Sequence, residues 1–108
     1  MVKSDALTDP RVRSLEGDIS DPAVLRQAID TDTRAIFHLA AIVSGQAEAD
    51  FDLGMRINLD ASRALLETCR ALGHQPRVIF TSSVAVYGGA LPETVRDDTA
   101  LNLSLIHI

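Results

Sequence analysis

The segment 77–88 constrains the fold of this chain more than any other, because an unbroken apolar run leads directly into a cluster of hydroxyls. Residues 78–80 predict a short strand covered on both faces, as in a parallel sheet. Three hydroxyls follow it, on Thr81, Ser82 and Ser83. Ligands of open parallel sheets bind beyond the carboxyl ends of the strands. These hydroxyls can therefore serve a ligand, or they can simply cap a turn, which the spacing alone favours.

Composition narrows the class of protein. The 108 residues suffice for about one small domain, and 46% apolar residues allow a packed core. A formal charge of −5 argues against a nucleic-acid partner, which needs a clustered basic face. No apolar run is long enough to predict a membrane span, and residues 1–5 lack the apolar core expected of a signal peptide. Cys69 is the single cysteine, so we expect a cytoplasmic protein with no disulfide framework and no metal site.

The first half of the chain alternates strand and helix signals. Residues 11–15 alternate polar and apolar side chains, which predicts an edge strand. Asp21 and Pro22 predict the cap and first turn of a helix. Its apolar stripe consists of Val24, Leu25, Ala28 and Ile29. Residues 35–41 predict a central strand, and 42–46 predict the loop beyond it.

The second half predicts a long helix and the last strand. The helix runs from about residue 48 to 72, with Gly73 as its C-cap and Pro76 preventing continuation. Its predicted buried stripe consists of Phe51, Met55, Asn58, Ser62, Leu65, Leu66 and Cys69. The order β-α-β-α-β requires parallel strands and predicts an α/β fold, part of a Rossmann-like, doubly wound parallel sheet. We expect one partial domain over 1–108, with a lead-in at 1–10 and a tail at 103–108.

Several side chains have both a structural and a functional interpretation. Asn58 either bonds to a neighbouring backbone or orders a water or catalytic group. Asp18 either caps the first helix or accepts a hydrogen bond from a nucleotide base. Ala40 and Ala41 either admit a ligand or pack a strand tightly against a helix. His38 and Cys69 are predicted to be core residues, the histidine with a satisfied ring.

Four motifs occur in order at 17–19, 37–41, 55–60 and 81–88. Together they resemble the extended short-chain dehydrogenase/reductase family, also described as the NAD-dependent epimerase/dehydratase family. The segment 43–55 is similar to a smaller group within it that oxidises a sugar acid with NAD. The resemblance implies an oxidoreductase, or a nucleotide-sugar epimerase or dehydratase, that binds NAD or NADP. It also implies a small sugar or sugar-acid substrate and a homodimeric parent protein.

The resemblance implies roles for individual residues. Ser83 would be the catalytic serine that holds the reacting oxygen, whereas Tyr87 is not the family's catalytic tyrosine. The cofactor would contact Asp18, Ile19, Leu39, Ala40, Ala41, Asn58, Thr81 and Ser82. The substrate would lie near Val43, Ser44 and Gln46.

Two family motifs are not found in this sequence. A Gly-x-x-Gly-x-x-Gly loop is expected before residue 11, and a Tyr-x-x-x-Lys pair after residue 102. We therefore expect an inactive fragment of such an enzyme. The alternatives are a non-catalytic Rossmann-like module for NAD(P) sensing or protein interaction, and a flavodoxin-like domain. The flavodoxin-like domain needs a flavin-binding loop after the first strand, and no such loop is recognisable.

Overall fold

The computed structural model describes residues 8–103, which form short helices around a pair of parallel strands. The elements are α1 (Pro22–Ala28), β1 (Ala35–His38), α2 (Ser44–Ala49), α3 (Phe51–Met55), a π-helix (Arg56–Asp60), α4 (Ala61–Leu72), β2 (Arg77–Phe80) and a 3-10 helix (Val84–Tyr87). The mixed α/β architecture predicted from the sequence is confirmed. The segments 1–7 and 104–108, which include most of the predicted lead-in and tail, lie outside the described residues.

The ends of α1 and α4 follow the predicted local chemistry. The Asp21 carboxylate accepts a hydrogen bond from the backbone N–H of Ala23, and Pro22 occupies the first turn of α1. At the end of α4, Gly73 adopts a φ of 72°, in the left-handed region that glycine enters without steric cost. Both helix boundaries are therefore confirmed.

The two strands are parallel, as the helical connection between them requires. Ile36 is in register with Val78, and His38 with Phe80. The hydrogen bond from Arg77 N–H to Arg34 O at the start of β2 is 2.9 Å long. At the other end, Thr81 N lies 3.5 Å from His38 O. The hydrogen bond between the strands is therefore shorter where β2 begins than where it ends.

The prediction of a strand over 11–15 was wrong. These residues form neither helix nor strand, and the sheet of the described residues has two strands, β1 and β2. Arg13 instead donates to the backbone carbonyl of Gln27 in α1 over 3.0 Å. Alternation of polar and apolar side chains supports a strand only where a neighbouring strand accepts its backbone hydrogen bonds. The predicted central strand 35–41 likewise ends at His38.

The single helix predicted over 48–72 is interrupted, and the predicted loop 42–46 contains a helix start at Ser44. The break falls at Asp50, whose φ of −136° and ψ of 88° are not helical. Its carboxylate accepts from Leu53 N–H over 3.0 Å and so caps α3. A side chain that bonds to the following backbone competes with continuation of the helix, which explains the break. The π-helix then joins α3 to α4.

The core packs between the helices and one face of the sheet. Leu25 and Ile29 of α1 meet Leu65 and Cys69 of α4, with Ile36 and Val78 of the strands beside them. The helical stripe was therefore predicted only in part. Phe51 is 70% exposed, and Met55, Asn58 and Leu66 are also exposed. The π-helix turns the helix surface by an extra residue, so positions before and after it do not share one face.

The prediction that the strands are covered on both faces was also wrong for the described residues. Phe37 is 68% exposed and Phe80 62% exposed. The helices α1 and α4 cover the face that carries Ile36 and Val78. In the part of the chain that the structure describes, nothing comparable covers Phe37.

Candidate functional site

A cavity of about 730 Å³ opens at the carboxyl ends of β1 and β2. Segments 38–44 and 80–83 form much of its wall, and Asn58 and Ser62 contribute from the helical side. Two segments that are far apart in sequence meet here because parallel strands end at the same edge of the sheet. This is the place where the three hydroxyls were expected to matter.

The wall that follows β1 exposes small and apolar side chains. Leu39 is 67% exposed, and Ala40 and Ala41 are exposed as well. Among residues 8–103, no helix packs tightly against either alanine, so a ligand can approach this stretch of backbone. All three residues line the cavity.

The wall that follows β2 carries the hydroxyl cluster Thr81, Ser82 and Ser83. Ser83 is the N-cap of the 3-10 helix, and its Oγ accepts a hydrogen bond from Ala85 N–H over 3.2 Å. The capping interpretation of this hydroxyl is thus what the structure shows. A hydroxyl that accepts one bond still has its own proton to donate, so capping leaves Ser83 able to bind a ligand oxygen.

Asn58 uses its side-chain amide to hold the loop after β1. Ile42 N–H donates to Asn58 Oδ1 over 2.8 Å, and Asn58 Nδ2–H donates to Ile42 O over 3.0 Å. Of the two alternatives for Asn58, the bond to a backbone is the one that the structure shows. Asn58 lies on the cavity wall and is exposed, not buried in the helix interface as its stripe predicted.

His38 is 8% exposed, and its ring lies 2.9 Å from Ser62 through the Nε2 and Oγ atoms. It is thus a core histidine with a bonded ring, as predicted. Ser62 was expected on the buried stripe and not at the site, yet it lines the cavity. Ile42 also lines the cavity, although the sequence placed it only in the loop after the strand. The spacing of Asn58 and Ser62, four residues apart on one helix, was the available signal for Ser62.

Asp18 and Ile19 do not line this cavity. Asp18 accepts hydrogen bonds from Ser20 Oγ–H over 2.7 Å and from Ser20 N–H over 2.8 Å. These bonds, in that order, hold the pKa of Asp18 below its ordinary value, and Arg56 at 3.5 Å adds a smaller effect. Asp18 does not cap α1, because Asp21 does so, and it instead closes the turn before that helix.

Val43 and Ser44 lie on the cavity wall, at the start of α2, whereas Gln46 does not. The structure therefore brings together two of the three residues expected near a substrate. Cys69 lies in the core, where burial raises the pKa of its thiol, and it takes no part in the cavity.

A second concavity, of about 540 Å³, lies along α4 and is lined largely by Leu59, Leu66 and the Arg63–Glu67 ion pair. This groove lacks the hydroxyl cluster of the first cavity. Among residues 8–103, no group of three or more histidine, cysteine, aspartate or glutamate side chains is arranged to hold a metal ion. No helix in the same range is both long and apolar enough to cross a membrane.

The parallel strands and the cavity at their carboxyl ends define a Rossmann-like α/β domain. Comparison with known families gives the assignment. The model of the NAD dependent epimerase/dehydratase family matches residues 2–105, and the chain belongs to this family.

The relatives are consistent with that assignment. The chain is 79% identical over 102 residues to a D-erythronate dehydrogenase of Cupriavidus necator, covering 94% of the chain and 32% of the relative. It is 52% identical over 92 residues to a D-erythronate dehydrogenase of Haemophilus influenzae, covering 85% of the chain and 29% of the relative. The expected similarity to this branch of the family is confirmed. The chain spans about a third of the length of these relatives.

Among solved structures, the chain resembles a nucleoside-diphosphate-sugar epimerase from Agrobacterium tumefaciens. The TM-score is 0.65 at 44% identity, over 80% of this chain and 26% of that protein. This similarity supports the Rossmann-like architecture independently of the family model.

Proposed function

We propose that this chain forms the serine side of the active site in an NAD-dependent dehydrogenase that oxidises a sugar acid, D-erythronate or a close analogue. The observation that carries the proposal is the meeting of residues 39–41 with residues 81–83 at one cavity. The family match supports dependence on NAD or NADP, and the similarity to two D-erythronate dehydrogenases supports the substrate.

The residues of the cavity fit a dinucleotide. The cavity has a volume of about 730 Å³, which lies within the usual range of small-molecule sites, roughly 300–1,000 Å³. Ala40 and Ala41 leave the backbone accessible to a ligand, and the hydroxyls of Thr81 and Ser82 offer donors and acceptors to ribose or phosphate oxygens. When bound, the nicotinamide ring accepts a hydride from the substrate carbon.

Ser83 is the residue we assign to the substrate. Its Oγ accepts from Ala85 N–H and keeps its own proton, which it can donate to the oxygen at the reacting carbon. Val43 and Ser44, at the start of α2, line the same cavity and would contact the rest of the sugar acid. Gln46 lies outside this wall, and its role near the substrate is proposed from the family resemblance alone.

Asp18 and Ile19 are proposed to contact the adenine, and Asn58 to support the wall beside the cofactor. The Asp18 carboxylate is exposed and ionised, so it can accept a hydrogen bond from an exocyclic amine. For the complete protein we propose a homodimer that acts in cytoplasmic carbohydrate metabolism. Sedimentation equilibrium of that protein would test the dimer.

The 108-residue chain by itself is proposed to be inactive. Its sequence contains neither Gly-x-x-Gly-x-x-Gly nor Tyr-x-x-x-Lys. In this family the glycine-rich loop binds the pyrophosphate of the cofactor. The tyrosine of the Tyr-x-x-x-Lys motif is the general base. Loss of a positioned base alone costs about 10²–10⁴ in rate.

The decisive experiment is a titration of the ¹⁵N-labelled chain with NAD, then with D-erythronate. We expect NAD to shift the amide signals of 39–41 and 81–83, and D-erythronate to shift those near Ser83 and Ser44. In Ser83→Ala, the shifts caused by NAD should persist and those caused by D-erythronate should weaken. Ser14→Ala, an exposed serine of the segment 11–15, is the matched control. Shifts confined to other parts of the chain would contradict the proposal.

A second candidate function is a binding module without chemistry. The observation in its favour is that the Ser83 hydroxyl already serves as an N-cap. If the module is correct, Ser83→Ala should reduce stability while leaving both titrations unchanged. The same experiment therefore separates the two functions.

A further inference from the structure

The end of β1 is attached to the neighbouring helical segment at two points. At the first, the His38 ring bonds to Ser62 over 2.9 Å. At the second, Asn58 holds both polar groups of the Ile42 peptide, over 2.8 and 3.0 Å. The attachments are four residues apart on both segments and run in opposite directions, His38 with Ser62 and Ile42 with Asn58. Residues 39–41 span the space between them.

Ser62 links the two attachments. Its Oγ–H donates to the backbone carbonyl of Asn58 over 3.1 Å. A hydroxyl carries a single proton, so Ser62 must accept its other bond from His38 Nε2–H. The three residues therefore form one directional series, from the histidine N–H through the serine O–H to the Asn58 carbonyl. This carbonyl lies in the π-helix, where the usual helical acceptor pattern is displaced.

The segment between the two attachments, residues 39–41, lines the cavity and is here called the 39–41 arch. Leu39 within it is 67% exposed, whereas His38 at the first attachment is 8% exposed.

We propose that His38 and Ser62 are positioning residues for the cofactor, acting through the shape of the 39–41 arch. The arch is the wall assigned to NAD, so this inference rests on the proposed function for its ligand. The attachments fix the wall before the ligand arrives, and fixing a wall in its bound shape raises affinity by lowering the cost of ordering it. The pair is then required for tight cofactor binding, although neither residue performs chemistry.

The first test measures the arch in the 108-residue chain without cofactor. In Ser62→Ala, hydrogen exchange at the Ile42 amide should quicken about tenfold or more, because both hydrogen bonds of the Ser62 hydroxyl are lost from a part-buried network. Thr68→Val is the matched control, because Thr68 makes the same bond to a carbonyl four residues earlier, over 2.8 Å, away from His38. His38→Leu should also quicken exchange, whereas His38→Gln keeps an N–H donor and should restore slow exchange. If Ser62→Ala does not fold, the two His38 variants provide the same comparison.

The second test is calorimetric titration of these variants with NAD, in the complete protein. Ser62→Ala and His38→Leu should raise the Kd about tenfold, with His38→Gln and Thr68→Val close to wild type. If exchange at the Ile42 amide is unchanged in Ser62→Ala, Ser62 does not help to hold the end of β1. The same conclusion follows if Thr68→Val quickens that exchange equally. Faster exchange with an unchanged Kd would overturn the role in cofactor binding. If the complete protein, with its pyrophosphate-binding loop, binds no NAD, the proposed function fails and the cofactor role fails with it, whereas exchange in the 108-residue chain still decides whether the attachment exists.

Discussion

The side-chain amide of Asn58 pairs with the peptide of Ile42 much as one strand pairs with another. Asn58 Oδ1 takes the Ile42 N–H, and Asn58 Nδ2–H reaches the Ile42 carbonyl. A residue in the π-helix thus satisfies both backbone groups of a residue that lies sixteen positions earlier. Because β1 has already ended, these groups have no strand partner, and the amide takes its place.

Asn58→Asp should therefore destabilise the fold at least as much as Asn58→Ala. The aspartate keeps an acceptor for Ile42 N–H but places a carboxylate oxygen against the Ile42 carbonyl, where a donor is needed. We expect Asn58→Ala to cost about 1 kcal/mol and Asn58→Asp at least as much at neutral pH, from the lost bond and the unpaired carbonyl. Urea unfolding followed by circular dichroism measures both. Equal stability of the aspartate variant and wild type would contradict the pairing.

Two neighbouring leucines in α4 test which face of the helix packs on the core. Leu65 is 6% exposed, whereas Leu66 is 55% exposed. Leu65→Ala should lose about 2–5 kcal/mol, as expected for truncation of a buried leucine. Leu66→Ala should stay within about 0.5 kcal/mol of wild type. Urea unfolding measures both free energies of unfolding. Similar decreases in the two variants would contradict the observed packing and support the predicted stripe, in which both side chains are buried.

Two glycines test the packing of α2 against α3. A Cβ added at Gly54 would lie 2.8 Å from Ala47 Cβ, whereas one added at Gly45 meets nothing within 4 Å. Gly54→Ala should therefore cost about 1–3 kcal/mol through overpacking. Gly45→Ala should be neutral or stabilising, by up to about 1 kcal/mol, because alanine favours the helix. The midpoint of thermal unfolding should fall in Gly54→Ala and stay the same or rise in Gly45→Ala. An equal shift in both variants would contradict the close approach of Gly54 to Ala47.

The turn before α1 should respond to acid through Asp18. Its pKa is lowered in the folded chain, chiefly by the two bonds from Ser20, so the carboxylate stabilises the fold above its unfolded pKa. That contribution disappears as the pH falls through the lower, folded pKa. In Ser20→Ala, the pKa of Asp18 should rise toward its ordinary value of 3.8, because the stronger of the two bonds is lost. An NMR titration of the Asp18 carboxyl carbon measures the shift, and Ser14→Ala should leave it unchanged.

The features that the sequence predicted correctly are those decided by a few adjacent residues. Asp21 followed by Pro22 begins a helix, and Gly73 followed by Pro76 ends one, because capping bonds form between near neighbours. The meeting of two strand ends was also predictable, since helices of this length force the strands to be parallel. These inferences needed no knowledge of distant contacts.

The features that were wrong depend on partners elsewhere in the chain. Residues 11–15 have the side-chain pattern of a strand but no strand beside them among the described residues. The exposure of Phe51 and Met55 depends on the π-helix, which shifts the helical phase between them and α4 and has no residue signature in this sequence. The four-residue spacing of Asn58 and Ser62 indicated a shared helix face, but the bond of Ser62 to His38 joins residues 24 positions apart and required the structure.

The uneven ladder between β1 and β2 has a mechanical consequence. A bond of 2.9 Å joins the strands where β2 begins, and a contact of 3.5 Å joins them where the cavity opens. Hydrogen bonds weaken as they lengthen, so the strands resist separation at one end and yield at the other. We therefore expect any separation of the two strands to begin at the cavity, where the contact is longest, and to reach the start of β2 last.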